Sequence, residues 1–219
     1  MTRRCAILCS GPSLKDHDLS RIDCLTIGTN LSYLTHPADI QVFTHGRLIQ
    51  TRHDDLVLDT PRASQRFCAT HQLDGCYTPN TIWKHGAKSL RAGERIPHLP
   101  ADYDIYRDGW IFCGAAPCAL QVAVSEGYEE IIFIGLDLNV EQGRHSYPDD
   151  AFTYTARETR HIAGNRGRTT KKEFLIQIDF MKQFKGQLDD RGIKVINTSM
   201  RSMEQVFEKR AFNEIWPAT

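Results

Sequence analysis

The residues best suited to binding chemistry lie near the N-terminus, where a short apolar run stops at a turn. Ala6 to Cys9 is followed by Ser10-Gly11-Pro12-Ser13, the pattern of a buried parallel strand that ends in a tight turn. The glycine permits close approach of the backbone, the proline suits the first turn of a helix, and the serines add hydroxyl and N–H groups. Phosphate is the ligand this chemistry favours, although an ordinary serine-capped turn fits the same residues.

Polar side chains also follow the next two predicted strands. Asn30 comes just after a strand predicted at Leu25 to Gly28, and His45 follows one at Gln41 to Phe43. In an open parallel sheet, ligands lie outside the carboxyl ends of the strands, so both side chains are expected to reach the ligand of the first turn. An Asn in the position of Asn30 also commonly starts a turn or caps a helix. The chain has no Walker loop and no G-x-G-x-x-G pattern, which argues against a P-loop NTPase or an NAD-binding domain.

A second group of candidates lies in the C-terminal half. Cys113-Gly114 precedes an alanine-rich helix predicted at Ala115 to Gly127, and Asp137 follows Ile131 to Gly135, the most apolar strand. An acidic residue at the mouth of a central strand suits a ligand or metal contact, or a turn cap. The polar loop that follows brings two more candidates to the same mouth, His145 and Tyr147.

The basic segment that follows is predicted to be a mobile lid. Residues 154–170 are rich in Arg, Thr and Gly and include His161, a composition that suits folding over an anionic ligand or an ordinary solvated loop. Beyond it, apolar residues at helical spacing predict a long helix over Glu173 to Arg191. A last strand is predicted at Lys194 to Ile196 and a closing helix at Met203 to Phe212.

The alternation of short apolar runs with helical patterns predicts an α/β fold. We expect residues 1–219 to form one Rossmann-like domain, a mostly parallel sheet with helices on both faces and a lid loop. Leu14 to Ile22 is predicted as a short helix or helical turn. The signal is weak over residues 51–106, which we interpret as a peripheral excursion with strands near Leu56 to Leu58 and Arg66 to Cys68.

Composition limits the class of protein. The chain has 219 residues, with 27 basic and 27 acidic side chains, a balance that argues against general affinity for nucleic acid. Its apolar runs are too short to span a membrane, and we expect a cytoplasmic protein. The seven cysteines are odd in number and lack C-x-x-C pairs, which favours reduced, buried thiols over a zinc site or a disulfide framework. Homo-oligomerisation stays open.

The order of these motifs resembles that of a known group of enzymes. The motifs CSGPSLK, IGTN, VFTH, IFCG, GYEEIIFIGLDLN and VINTS resemble those of small bacterial sialyltransferases that use CMP-sialic acid. They also resemble the wider 6-hydroxymethylpterin diphosphokinase-like, or MptE-like, superfamily. The resemblance covers most of the chain outside residues 51–106. It implies a single-domain glycosyltransferase fold with a lid over the nucleotide sugar, a histidine general base and no metal cofactor.

The resemblance also implies roles for individual residues. It puts the nucleotide on Ser10, Gly11, Pro12 and Ser13. Donor contacts come from Asn30, from His45 where the family carries Asn, and from Cys113 and Gly114 where the family carries a Ser-Gly pair. Tyr147 matches a tyrosine near the sugar carboxylate and phosphate. His161 is the nearest match to the catalytic histidine.

The chemistry of the candidate residues does not decide which of two histidines is the general base or which of three functions the protein has. An inverting transfer to a glycan hydroxyl needs a base, which His161 or His145 supplies, and donors that stabilise the departing phosphate. An ATP-dependent diphosphokinase acting on a pterin-like hydroxyl would instead use Asp137 to hold Mg²⁺. A nucleotide- or sugar-binding protein without catalysis is the third alternative.

Overall fold

An eight-stranded parallel sheet organises the protein. The computed structural model describes residues 2–30, 32, 36–43, 65–68, 88–89, 101–109, 111, 114–138 and 168–218, with backbone only at 43, 65–68, 88–89 and 168–173. The strands are β1 (Arg4–Leu8), β2 (Leu25–Thr29), β3 (Ile40–Phe43), β4 (Gln65–Cys68), β5 (Lys88–Ser89), β6 (Glu130–Ile134), β7 (Lys194–Asn197) and β8 (Glu208–Lys209). Their order is β5-β4-β3-β2-β1-β6-β7-β8, and every neighbouring pair is parallel. The predicted parallel sheet is confirmed.

Short and long helices connect the strands. The α-helices are α1 (Ile105–Asp108), α2 (Ala115–Ser125), α3 (Arg168–Asp190) and α4 (Phe212–Ile215), and two 3-10 helices span Pro12–Asp16 and Leu19–Arg21. None of these described helices is long and apolar enough to cross a membrane.

The two faces of the sheet bury separate clusters of side chains. Along β1, Cys5 and Ile7 pack toward α2 and α3, and Ala6 and Leu8 pack toward the 3-10 helices and α4. This alternation follows from the period of two in a strand. Helices therefore cover both faces, as predicted, and the central strand β1 is apolar from Cys5 to Leu8 because neither face meets water there.

The predicted closing helix at Met203 to Phe212 is wrong. The chain there turns and forms β8, because the Glu204 carboxylate, 0% exposed, accepts hydrogen bonds from the N–H groups of Val206 and Phe207. The same carboxylate forms an ion pair with Lys209 at 3.2 Å. Those contacts prevent a helix from forming there, and α4 is the helix that follows β8.

Other predicted helix and strand boundaries also differ from those in the structure. The predicted helix Leu14 to Ile22 is two 3-10 helices, because Pro12 begins the first and Asp18 caps the second by accepting from the N–H of Ser20. The long helix starts at Arg168 rather than Glu173, so the last three residues of the predicted lid, 168–170, are helical. The weak segment 51–106 contributes β4, which confirms the predicted strand at Arg66 to Cys68, and also β5.

Both long helices begin at the carboxyl edge of the sheet. A glycine with positive φ ends each helix, Gly127 after α2 and Gly192 after α3, and a short connection leads into the next strand at the amino edge. Each helix therefore runs opposite to the strands. With 23 residues, α3 is about 34 Å long, whereas the five residues of β6 span about 17 Å. The first turns of α3 consequently extend beyond the carboxyl edge.

Candidate functional site

The Ser10–Ser13 turn is attached to the end of the neighbouring central strand β6. Asp137, which follows β6 and is 5% exposed, accepts hydrogen bonds from the Ser13 N–H at 2.8 Å and the Ser13 hydroxyl at 2.5 Å. The Gly11 N–H donates to the Gly135 carbonyl at 3.0 Å. The ends of β1 and β6 are thus joined by both side-chain and backbone hydrogen bonds.

These bonds correct one expectation about the turn. The serine N–H groups of the turn are predicted to face a ligand, but the Ser13 N–H donates to Asp137 and the Gly11 N–H donates to the Gly135 carbonyl. Pro12 has no N–H, and the Leu14 N–H donates to the Gly11 carbonyl. The hydroxyls of Ser10 and Ser13 also donate within the protein, so the turn offers a ligand mainly its shape, with both serines half-buried and Pro12 exposed.

Gly11 must be a glycine because neighbouring atoms of the protein leave no space for a side chain. A Cβ atom there would lie 2.2 Å from the Gly135 carbonyl oxygen and 2.6 Å from Asp137 Oδ2. Its φ of −72° suits any residue, so space and not backbone strain explains the glycine. The close approach that the sequence predicted is real, but the partner is the end of β6.

Asn30 lies at the end of β2, next to the same turn. The Ser10 hydroxyl donates to the Thr29 carbonyl at 3.1 Å, and the Thr29 hydroxyl donates to the Leu8 carbonyl at 3.0 Å. Asn30 itself has a φ of 45°, the left-handed region, which Asn tolerates better than most residues. The ends of β1 and β2 therefore hold Asn30 beside the turn, as predicted.

Gly114 begins α2 at the same edge, with a φ of 134° that favours glycine. A Cβ atom there would lie 3.0 Å from Cδ of Gln177. Gln177 belongs to α3, so the part of α3 near the carboxyl edge packs over the start of α2. Sequence reasoning missed Gln177, because nothing local distinguishes it from other polar residues of a long helix.

The end of β7 supplies further residues that sequence reasoning left out. The Ser199 hydroxyl donates to Asp137 Oδ1, and the side-chain amide of Asn197 donates to the Leu136 carbonyl at 3.2 Å and to Glu204 at 2.9 Å. A buried chain of polar contacts thus runs from Lys209 through Glu204 to Asp137. The signal for it was the polar run that ends the last predicted strand.

Seven of the twelve predicted site residues are described. The structure brings together Ser10, Gly11, Pro12, Ser13, Asn30 and Asp137, and it places Gly114 at the same edge. The predicted residues His45, Cys113, His145, Tyr147 and His161 lie outside the described residues, as do the strand predicted at Leu56 to Leu58 and the lid up to residue 167.

The thiol closest in sequence to the turn is not activated. Burial, aided by the negative charge of Asp137, raises the pKa of Cys9 far above its ordinary value, so the neutral thiol predominates at neutral pH. Cys5, Cys9 and Cys118 are buried and, like the half-buried Cys24, are not disulfide-bonded. Within the described ranges, no group of three His, Cys, Asp or Glu side chains is arranged to hold a metal ion.

Comparison with solved structures shows which fold this is. A variant of the sialyltransferase CST-II in complex with CMP matches 94% of this chain and 84% of its own, at 16% identity and a TM-score of 0.54. A second CST-II variant in complex with CMP matches 96% and 87%, at 17% identity and a TM-score of 0.52. CstII comes from Campylobacter jejuni.

A different glycosyltransferase is also structurally similar to this chain. The MAf glycosyltransferase from Magnetospirillum magneticum AMB-1 matches 96% of this chain at 13% identity and a TM-score of 0.54, and the chain spans 34% of that protein. No protein-family model matches the sequence, and no curated protein matches it. At these identities the likeness shows the fold: an α/β fold shared with CST-II and with the MAf glycosyltransferase.

Proposed function

We propose that the protein is a glycosyltransferase that moves a sialic-acid-like sugar from a CMP-linked donor to a glycan hydroxyl. The observation that carries the proposal is the joining of the Ser10–Ser13 turn, Asn30 and Asp137 at the carboxyl edge of an all-parallel sheet. Ligands of open α/β sheets bind at that edge. The two sets of glycosyltransferase structures with the same fold support this choice.

The proposed reaction divides its tasks among the predicted residues. The acceptor oxygen forms a bond to the anomeric carbon as the bond from that carbon to the phosphate oxygen breaks, with inversion. His161, or His145 in its place, takes the proton of the acceptor hydroxyl. Asn30 and Tyr147 stabilise the CMP phosphate that leaves. No metal takes part in this scheme.

The contacts of Asp137 favour this reaction over the diphosphokinase alternative. Its Oδ1 accepts from the hydroxyls of Ser13 and Ser199, and its Oδ2 accepts from the Ser13 N–H. Mg²⁺ prefers carboxylate oxygens together with water and phosphate, so binding it at Asp137 would compete with the hydroxyls that hold the turn. The carboxylate acts as an anchor for the turn in our proposal.

Ligand-dependent unfolding tests the proposal. We expect CMP to raise the unfolding temperature without added metal, since a ligand at a hundred times its dissociation constant adds about 2.7 kcal/mol of stability. The Ser10→Ala variant should lose part of this shift. Ser20→Ala, which alters an exposed serine bonded to Asp18, should keep it.

Turnover decides among the three functions. Incubation with CMP-sialic acid and a panel of oligosaccharide acceptors should yield CMP and a product heavier by one sialic acid, detected by mass spectrometry. Stabilisation by ATP with Mg²⁺ but not by CMP would replace the proposal with the diphosphokinase. Binding of CMP without turnover of CMP-sialic acid on any acceptor would identify a binding protein.

A further inference from the structure

Gln41 in β3 is a buried polar residue whose contacts point to Asn30. It is 1% exposed, on a strand whose neighbours in sequence, Ile40 and Val42, are apolar core residues. Its side-chain N–H donates to the Asn30 carbonyl at 3.2 Å. The hydrogen bond links the interior of β3 to the left-handed residue at the end of β2.

The carboxamide of Gln41 is retained at a cost. Its oxygen is buried and has no hydrogen-bond partner in the part of the chain that the structure describes. A buried acceptor without a partner lowers stability, and most proteins leave few of them. A methionine would fill the same space without that cost. The hydrogen bond to Asn30 is therefore the feature that a glutamine supplies here and an apolar residue does not.

Gly28 makes room for this carboxamide. The two residues are directly opposite each other in the parallel pair β2 and β3, and a Cβ atom on Gly28 would lie 2.2 Å from the Gln41 oxygen. Gly28 is in extended backbone, where any residue fits, so the space taken by Gln41, and by Ala38, whose Cβ would lie 2.9 Å away, explains the glycine. The absence of a side chain at Gly28 therefore leaves space for the Gln41 carboxamide that donates to Asn30.

We propose that Gln41 is a positioning residue of the nucleotide site. It holds the Asn30 carbonyl and thereby keeps Asn30 in its left-handed conformation, which is sparsely populated for a non-glycine residue and persists when neighbouring groups over-determine it. The Asn30 side chain then stays at the carboxyl edge beside the Ser10–Ser13 turn. This inference rests on the proposed function, in which Asn30 contacts the CMP-linked donor.

The test is the affinity for CMP of full-length variants, measured by calorimetry. Gln41→Met is expected to fold, because it removes an unpartnered acceptor, and to bind CMP about tenfold more weakly, the scale of one lost hydrogen bond. Gln41→Leu also lacks the N–H that donates to the Asn30 carbonyl and should lose at least as much. If Met is not tolerated, this second variant carries the test.

A matched substitution controls for general effects of a buried glutamine. Gln121 is 0% exposed and fully engaged with the Tyr103 hydroxyl, the Ile111 N–H and the Pro117 carbonyl. Gln121→Met should lower the unfolding temperature yet leave CMP affinity within about twofold.

A double-mutant cycle separates positioning from a merely structural role. Asn30→Gly removes the side chain while allowing the left-handed backbone. If Gln41 acts through Asn30, Gln41→Met should change CMP affinity by less than about twofold in that background. A full tenfold loss there, or no loss in the single variant, overturns the inference and leaves the proposed function intact. Wild-type protein that does not bind CMP overturns both.

Discussion

Ser13 and Asp137 are 124 positions apart in the chain, yet the N–H and the hydroxyl of Ser13 both donate to the Asp137 carboxylate, at 2.8 and 2.5 Å. This pair of bonds joins the first turn of the protein to the end of β6. It also explains why an acidic residue lies at the mouth of a central strand, since the carboxylate stabilises the turn that follows β1.

Replacing Asp137 with Asn should destabilise the fold. The amide keeps one acceptor oxygen but presents N–H to a donor, which leaves a buried partner unpaired, so we expect a loss of about 2 kcal/mol in the free energy of unfolding. Urea denaturation measures it. Asp189→Asn is the matched control, because Asp189 is exposed and forms an ion pair with Lys185 in α3, and its loss should stay under about 0.5 kcal/mol. Equal losses would contradict the anchoring role.

A methyl group on Gly11 should have the opposite effect from one on Gly186. Gly11→Ala meets the Gly135 carbonyl and Asp137, and the required shift should cost about 2 kcal/mol. Gly186 lies inside α3, and apart from the backbone of its own helix no atom of the described residues lies within 4 Å of an added Cβ, so Gly186→Ala should stabilise by about 0.5–1 kcal/mol. Thermal unfolding compares the two. A tolerated Gly11→Ala would mean that the turn adapts without the close approach.

His17 should make stability depend on pH. Its ring stacks on Phe212 at 4.7 Å, with the Arg21 guanidinium over the same ring. Burial lowers the pKa of His17, and the nearby carboxylates of Asp16 and Asp137 only partly oppose it. The folded state disfavours the charged ring. The stability that the neutral His17 ring contributes is therefore fully present above the ordinary pKa of 6.5 and is lost as the pH falls through the lowered pKa.

The pH effect is measured as a difference between two proteins. The urea midpoint should decrease more between pH 7.5 and pH 5 for the wild type than for His17→Phe. This variant keeps a ring against Phe212 but cannot be protonated. An identical decrease in both proteins would show that other groups cause the acid sensitivity.

The proposed base is tested by kinetics. His161→Ala should lower turnover of CMP-sialic acid by roughly a hundredfold while CMP affinity stays nearly unchanged, the usual result of removing a positioned base. His145→Ala is the comparison variant. If it alone shows that loss, the base is His145 and the site at the carboxyl edge still stands. If neither histidine matters, the acceptor is activated by another group.

Local patterns in the sequence were sufficient for most of the sheet. The strands at Ala6 to Cys9, Leu25 to Gly28 and Ile131 to Gly135 were predicted within a few residues, because short apolar runs bounded by polar turns describe buried parallel strands wherever they pair. Their shared direction then predicted that the Ser10–Ser13 turn, Asn30 and Asp137 meet at one edge. That prediction needed only the rule that parallel strands end on the same side.

Contacts between distant residues decided the rest. The segment from Met203 to Phe212 has helical spacing, yet Glu204 binds Asn197 and Lys209 and turns the chain into β8. Gly11 was assigned to a ligand, but its neighbours are the end of β6. Gln41 looks like a polar interruption of a strand until its bond to Asn30 is seen. Each of these three features depends on which distant residue contacts the side chain or backbone in the folded protein. Spacing along the sequence contains no information on such contacts.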